Sequence, residues 1–272
     1  MQVIGLCRFS YPALGGFQVD FEDMADKIAY LYDPARMEER FHLFETVALK
    51  CLRHQTDPDF ELVIVVGDQL PAPYLARLQA LIRDMPQARI EAHPPRNHRE
   101  VMKEVLNTAR RDPAAPCLQF RYDDDDAVAV DFIERLRQAA VDCAALSAQH
   151  KAIAFDWTKG YIANFGASGI NATPLRKTFN VAGLAMQIRG NSPLTIMNFA
   201  HERIGRFMPC VSFAEPTMFI RGHNTTNDSR QKKVKPVELI ALDDATRAEF
   251  ADRFAIDEAQ VRRVFSAGAA PV

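Results

Sequence analysis

The run Leu62-Val63-Ile64-Val65-Val66, closed by Gly67-Asp68, constrains the fold more than any other stretch of the chain. Five consecutive apolar residues, β-branched from Val63 onward, with no polar alternation, describe a strand covered on both faces. That is the pattern of a parallel sheet. The neighbouring segments agree with it. Residues 3–7 form a shorter apolar run that leads into Arg8-Phe9-Ser10-Tyr11-Pro12, with Gly15-Gly16 in the following loop. Asp33-Pro34 supplies a helix N-cap and a first-turn proline. Met37, Phe41, Phe44, Ala48 and Leu52 then share one helical face to about Arg53. Residues 73–84 carry Leu75, Leu78, Leu81 and Ile82 at helical spacing, and 88–92 read as a weaker strand. Asn97 and Glu100 have capping-box spacing ahead of a helix through Ala109. Residues 117–122 read as a fourth strand.

Four strands therefore alternate with three helices, which predicts the α/β class: an open, mostly parallel, Rossmann-like sheet with helices on both faces. Beyond residue 131 the pattern changes. A helix over 132–146 is followed by short strands at 152–157, 161–165, 176–180 and 184–188, then a helix over 191–206 and a strand at 218–221. These describe a smaller mixed β/α half. The expected organisation is one domain over 1–235, with a nucleotide-binding half (1–130) and an acceptor-side half (131–235). Residues 236–272 are expected to be a C-terminal helical extension, with helices at 243–254 and 257–265 and a frayed end over 267–272.

Composition narrows the function classes. The 272 residues carry a net charge of −2, which removes the bulk electrostatic case for nucleic-acid binding. Five cysteines with no C-x-x-C pair point to a reducing compartment. No apolar run reaches membrane-spanning length. The expected location is the cytoplasm, with peripheral contact at the inner membrane surface left open.

The chemistry concentrates at Asp123-Asp124-Asp125-Asp126, between the fourth strand and the next helix. Carboxylates this close raise each other's pKa unless a cation compensates. The end of such a strand is where α/β sheets bind ligands. A hard divalent ion, Mn²⁺ or Mg²⁺, suits carboxylate oxygen. A solvated turn would need only one or two aspartates. A nucleotide-type half, an acidic cluster after its fourth strand and a mixed second half fit a GT-A type glycosyltransferase, where the cation neutralises a diphosphate leaving group.

Four motifs then carry a resemblance to the rhamnosyltransferases of bacteria: Arg8-Phe9-Ser10-Tyr11, Gln55-Thr56-Asp57-Pro58-Asp59-Phe60, Arg121-Tyr122-Asp123-Asp124-Asp125-Asp126-Ala127, and His223-Asn224 with Asn227. The resemblance implies a nucleoside-diphosphate sugar donor and a glycan or lipid-linked acceptor. It also implies that Asp124-x-Asp126 is the D-x-D cation site, with Asp125 able to replace either acid and His223 as a late cation ligand. His201 competes for that last role. Asp123 is assigned to the ribose.

Arg8 and Ser10, just after the first strand, are candidate donor contacts, as are Arg96, Arg99 and Arg121. Asp68, at the end of the second strand, could accept from a uracil or thymine N–H. Arg230, Lys232 and Lys233 could close over phosphates. An inverting transfer needs a general base; Glu202 is the candidate, ahead of Glu215 and Asp156. Two rival readings are a metal-dependent phosphatase or phosphoryl transferase and a non-catalytic cation- or glycan-binding module. Acids placed after the fourth strand and the absence of a hydroxyl at Ala127 count against the phosphatase. Arg8 and Asp68 at two strand ends count against the module.

Overall fold

The computed structural model describes residues 1–15, 21, 23–224 and 237–267. Gly16, Asn227, Arg230, Lys232, Lys233 and residues 268–272 lie outside the described residues. The first half contains β1 (Gln2–Arg8), α1 (Met24–Leu31), α2 (Pro34–Leu43), α3 (Leu49–Arg53), β2 (Glu61–Gly67), α4 (Ala72–Leu81), β3 (Ala88–His93), α5 (His98–Thr108) and β4 (Cys117–Asp123). A π-helical segment, Phe44–Ala48, joins α2 to α3. Then come β5 (Ala127–Val128), α6 (Phe132–Asp142), α7 (Ala144–Gln149), β6 (Ala152–Trp157), β7 (Lys159–Gly166), β8 (Gly169–Arg176) and β9 (Leu184–Ile188). The chain continues through β10 (Cys210–Phe213), β11 (Phe219–Gly222), β12 (Ile240–Ala241), α8 (Asp244–Phe254) and α9 (Glu258–Ala267).

Seven strands form one sheet in the order β3-β2-β1-β4-β9-β6-β10. β1, β2, β3 and β4 run parallel, β9 is antiparallel to both of its neighbours, and β10 is parallel to β6. The apolar runs explain the centre: Val3, Ile4, Cys7 and residues 62–66 are fully buried, so β1 and β2 are covered on both faces. A second sheet of five strands, β5-β11-β7-β8-β12, lies beside it in the chain's second half. The predicted caps are present. Asp33 accepts from the Arg36 N–H at 3.1 Å, and Asn97 accepts from the Arg99 N–H at 3.1 Å. No helix among the described residues is long and apolar enough to cross a membrane.

Several expectations are corrected. Residues 191–206 form two short 3₁₀ turns, Ile196–Asn198 and His201–Arg206, and not a helix. Asn191 takes a left-handed φ of 57°, and Thr195 with Asn198 closes a capping box over a single turn. The strand expected at 176–180 lies at Gly169–Arg176. Phe179, at φ 56°, occupies a turn held by its N–H bond to the Asp156 carboxylate at 2.8 Å. The strands β5, β10 and β12 are too short to be read locally, whereas α1 carries Met24, Ile28 and Leu31 at helical spacing and was missed.

The two halves interleave. β6, β9 and β10 complete the sheet begun by β1–β4, while β5 joins the second sheet through β11. The C-terminal helices are built into the same body. Phe250 and Phe254 are fully buried, and the Val130 N–H donates to the Arg253 carbonyl at 2.8 Å. Glu258 accepts from the Ile170 N–H and pairs with Arg247 and Arg262.

Candidate active site

Because β1 and β4 are parallel neighbours, their carboxyl ends lie side by side, with Arg8 in register with Asp123. Along β4, Gln119, Arg121 and Asp123 point to one face, and Phe120 and Tyr122 to the other. The Tyr122 hydroxyl is fully buried, 2.8 Å from the Asp126 carbonyl and 2.9 Å from that of Ala48. It ties the acidic turn to the helical layer. The turn closes with the Asp126 N–H donating to the Asp123 carbonyl at 3.2 Å.

The four aspartates have separate fates. Asp124 is 1% exposed and meets Arg40 from α2 in a two-pronged pair, with Nε at 3.0 Å from Oδ2 and Nη2 against Oδ1. Asp125, 6% exposed, lies 3.5 Å from the same guanidinium. Asp126, 4% exposed, accepts from the Gly222 N–H at 3.0 Å. Its carboxyl is held well above the usual range, first by burial and then by Asp125 and Asp123, and the Gly222 bond pulls it back. Gly222 has to be glycine here, because a Cβ would sit 2.4 Å from the Asp125 carbonyl oxygen. Asp123 is half-buried and faces the other way, toward Arg8 and Arg121.

This arrangement sets the two acids of the Asp124-x-Asp126 reading in different surroundings. Asp124 has a buried guanidinium as its counter-charge. Among the described residues no group of three or more His, Cys, Asp or Glu side chains converges as a metal cage. Asp126 is bound to the Gly222 N–H, and His223 is the next residue along the chain. The Nδ1 of His223 is buried with no hydrogen-bond partner among the described residues. Burial and Arg221 both lower the His223 pKa, keeping the ring neutral and able to donate a lone pair.

Beside the acidic turn lies a basic cluster. Arg8, His98, Arg121 and Asp123 line one pocket of about 20 Å³, enough for a water and too small for a phosphate, so these side chains form a floor. Burial lowers the Arg121 guanidinium from its ordinary value; Asp123 and Asp126 oppose this, while Arg8 and Arg99 add to it. His98 is pushed down to about 3 by burial and by Arg8, Arg121, Arg99 and Lys27, so it is neutral at physiological pH. Three guanidinium groups, Arg8, Arg99 and Arg121, thus act on one another here beside the acids Asp123 and Asp126.

The other expected residues are placed differently. Ser10 is buried at φ 46°, with its hydroxyl accepting from Arg36 at 3.1 Å, so it braces the loop after β1 and is not open to a nucleotide. Asp68 is exposed just past β2. Arg96 is exposed and pairs with Glu104 of α5 at 2.9 Å. Glu202 is exposed on the 3₁₀ turn that begins at His201. The ring of His201 is tied to the Phe179 carbonyl at 2.7 Å. Glu215 pairs with Lys159 and Arg176 at the surface. Asp156 is fully buried, holding the Phe179 N–H and the Ser212 hydroxyl, and burial pushes its carboxyl up to about 6. It is a structural acid. Asn224 is bonded to both backbone groups of Phe165, which fixes the loop after β11.

Sequence reading missed Arg36, Arg40 and His98. For the arginines a signal existed. Arg36 and Arg40 fall on the same helical face as Met37, Phe41 and Phe44, and a cation on an apolar face implies a buried partner. His98 carried no comparable mark beyond following the Asn97 cap.

The family described as "Putative rhamnosyl transferase" matches residues 2–236. The chain belongs to this family. The matched region takes in the seven-stranded sheet, every strand of the second sheet but β12, the acidic turn and the basic cluster. No curated protein matches the sequence. Among solved structures, Staphylococcus aureus TarS 1–349 is 10% identical over 82% of this chain and 60% of that one, with a TM-score of 0.42. TarS 1–349 in complex with UDP gives 11% identity, 82% and 61% coverage and a TM-score of 0.42. A nucleotide-diphospho-sugar transferase from Desulfovibrio desulfuricans G20, described as putative, gives 13%, 84%, 82% and 0.35. The chain thus spans about 60% of the TarS structure. Likeness this distant bears at most on the fold, which here follows from the strand order itself.

Proposed function

We propose that this family member is a glycosyltransferase that takes a sugar, rhamnose by its family, from a nucleoside-diphosphate donor to a hydroxyl of a glycan or lipid-linked acceptor. One observation carries the reading: Arg8 and Arg121 line one pocket with His98 and Asp123 at the carboxyl ends of β1 and β4, and Arg99 acts on both His98 and Arg121 from the start of α5, beside an acidic turn. That is an anion-binding floor at the crevice where open α/β sheets take nucleotides. Arg forks suit diphosphate oxygens, and half-buried guanidiniums hold a developing negative charge more strongly than exposed ones. Neutral His98 completes the floor without adding positive charge. Asp123, facing Arg8 and Arg121, is positioned for the ribose hydroxyls, and Asp68, at the end of β2, for the base.

Asp126 and His223 are the residues that would hold Mn²⁺ or Mg²⁺, and such an ion would supply further charge neutralisation for the leaving diphosphate. Glu202 is the candidate base for the acceptor hydroxyl, on an exposed turn near the Arg121 side of the crevice. Five free cysteines fit a cytoplasmic site of action, with peripheral contact at the inner membrane surface for a lipid-linked acceptor.

Calorimetric titration with uridine and deoxythymidine diphosphates, with and without Mn²⁺, tests the proposal. Binding of at least one nucleotide is expected, strengthened by Mn²⁺ in the native chain and not in Asp126→Asn. Failure of every nucleotide to bind would overturn the transferase reading. Equal binding with and without metal would remove only the cation.

A further inference from the structure

A polar cleft lies at the opposite end of the main sheet. β4 is seven residues long, so at roughly 3.3 Å per residue this cleft is about 20 Å from the acidic turn. It sits where β4 and β6 begin and β9 ends, and encloses about 510 Å³, within the range of small-molecule sites.

Three features give it a chemistry. First, Ala152 is in register with Ile188 on antiparallel strands, so Lys151 and Arg189 come directly opposite each other, joined by the Arg189 N–H to the Lys151 carbonyl at 3.0 Å. Like charges opposed in this way destabilise a sheet unless an anion lies between them. No Asp or Glu is among the described residues that line the cleft, and neither cation has an ion-pair partner among them. Second, Gln187 lines the same cleft. It is 7% exposed, and its buried Oε1 has no hydrogen-bond partner. A buried acceptor left unmade is costly, and a hydroxyl donor would satisfy it. Third, the wall is built in advance. Buried Arg110 donates to the Ser192, Pro113 and Ala115 carbonyls at 2.7, 3.0 and 2.9 Å, and the Asn191 N–H donates to the Pro113 carbonyl at 2.7 Å. A preformed wall removes the ordering cost of binding.

We infer that this cleft binds an anionic saccharide unit, its carboxylate or phosphate between Lys151 and Arg189 and a hydroxyl donating to Gln187. The site goes beyond the donor crevice and stands on its own residues. It would hold a charged sugar of a polymer at the edge of the sheet away from the transfer chemistry.

The test is binding to the full chain, by calorimetry and saturation-transfer NMR, of glucuronic acid, glucose 6-phosphate, glucose and inorganic phosphate. At least one anionic sugar should bind ten-fold or more tighter than glucose, and which one does separates a carboxylate from a phosphate ligand. The exposed pair variant Lys151→Glu/Arg189→Glu should lose that affinity at least ten-fold, with circular dichroism and thermal midpoint unchanged. Gln187→Leu should weaken the sugar and leave inorganic phosphate unaffected. Glucose binding as well as the anionic sugars, inorganic phosphate alone matching them, or affinity retained in the charge-reversed pair would each overturn the inference.

Discussion

The acidic turn and the basic floor are neighbours at the same strand ends, yet the protein treats them in opposite ways. The turn is the most conspicuous charge run in the sequence. It is also the better neutralised of the two: Asp124 has Arg40, Asp125 lies near the same guanidinium, and Asp126 has the Gly222 N–H. The floor is drawn from Arg8, His98, Arg99 and Arg121, three separate segments of the chain. It brings three guanidinium groups together around neutral His98, with Asp123 and Asp126 as the acids acting on Arg121. A buried charge with its own partner serves the architecture, whereas an excess of one sign at a crevice is what a ligand of the other sign completes. Charge density in the sequence therefore marked this end of the sheet without showing which of its charges are already paired.

The largest effect that could break this contrast is at Arg40. Arg40→Met leaves the Asp124 carboxylate buried without its counter-charge, so a loss of about 3–5 kcal/mol is expected in urea unfolding. Adding Asp124→Asn should recover part of it. A loss under about 1 kcal/mol would mean that Asp124 finds another cation, and would return it to the metal set.

His98 tests the floor from the inside. Its pKa falls from 6.5 to about 3 on folding, so between those values the unfolded chain binds a proton that the native state does not. Stability must then drop as pH falls below about 6.5, by up to roughly 1.4 kcal/mol per pH unit. His98→Gln should flatten the acid limb, with a gap from the native chain of about 3 kcal/mol by pH 4. Parallel pH profiles would show that His98 is not held among cations.

Arg121→Ala separates ligand binding from stability. The affinity for nucleoside diphosphate should fall about 10- to 100-fold, equivalent to roughly 1.4–2.8 kcal/mol, while the unfolding midpoint stays within a few degrees. A collapse of stability with unchanged affinity would make Arg121 part of the scaffold, as Arg40 is.

Arg96 should show the smallest effect. It is exposed and paired only with Glu104, so Arg96→Ala should change stability by less than about 0.5 kcal/mol and leave nucleotide affinity within two-fold. A large affinity loss would extend the basic floor along α5.

Local pattern was enough for the parallel core. The apolar run at 62–66, the Asp33-Pro34 start and the Asn97 cap each fix an element through interactions within a few residues, and each is found where it was read. The same logic failed over 191–206, where Asn191 in the left-handed region and a one-turn capping box outweigh a weak helical pattern. It also could not show that β6, β9 and β10 finish the sheet that β1 begins, because strand pairing at long range leaves no local mark.

By itself, then, the sequence determined that the chain is α/β, that four acids end the fourth strand, and that Arg8 and Arg121 approach the carboxyl edge. Only the tertiary structure decided the role of each charge. Arg40 reaches Asp124 across 84 positions, and Gly222 reaches Asp126 across 96. Lys151 meets Arg189 only because β6 and β9 are antiparallel neighbours. The physical reason is common to all three: whether a charge is satisfied depends on what burial brings within a few ångströms of it, and that is set by how the sheet pairs.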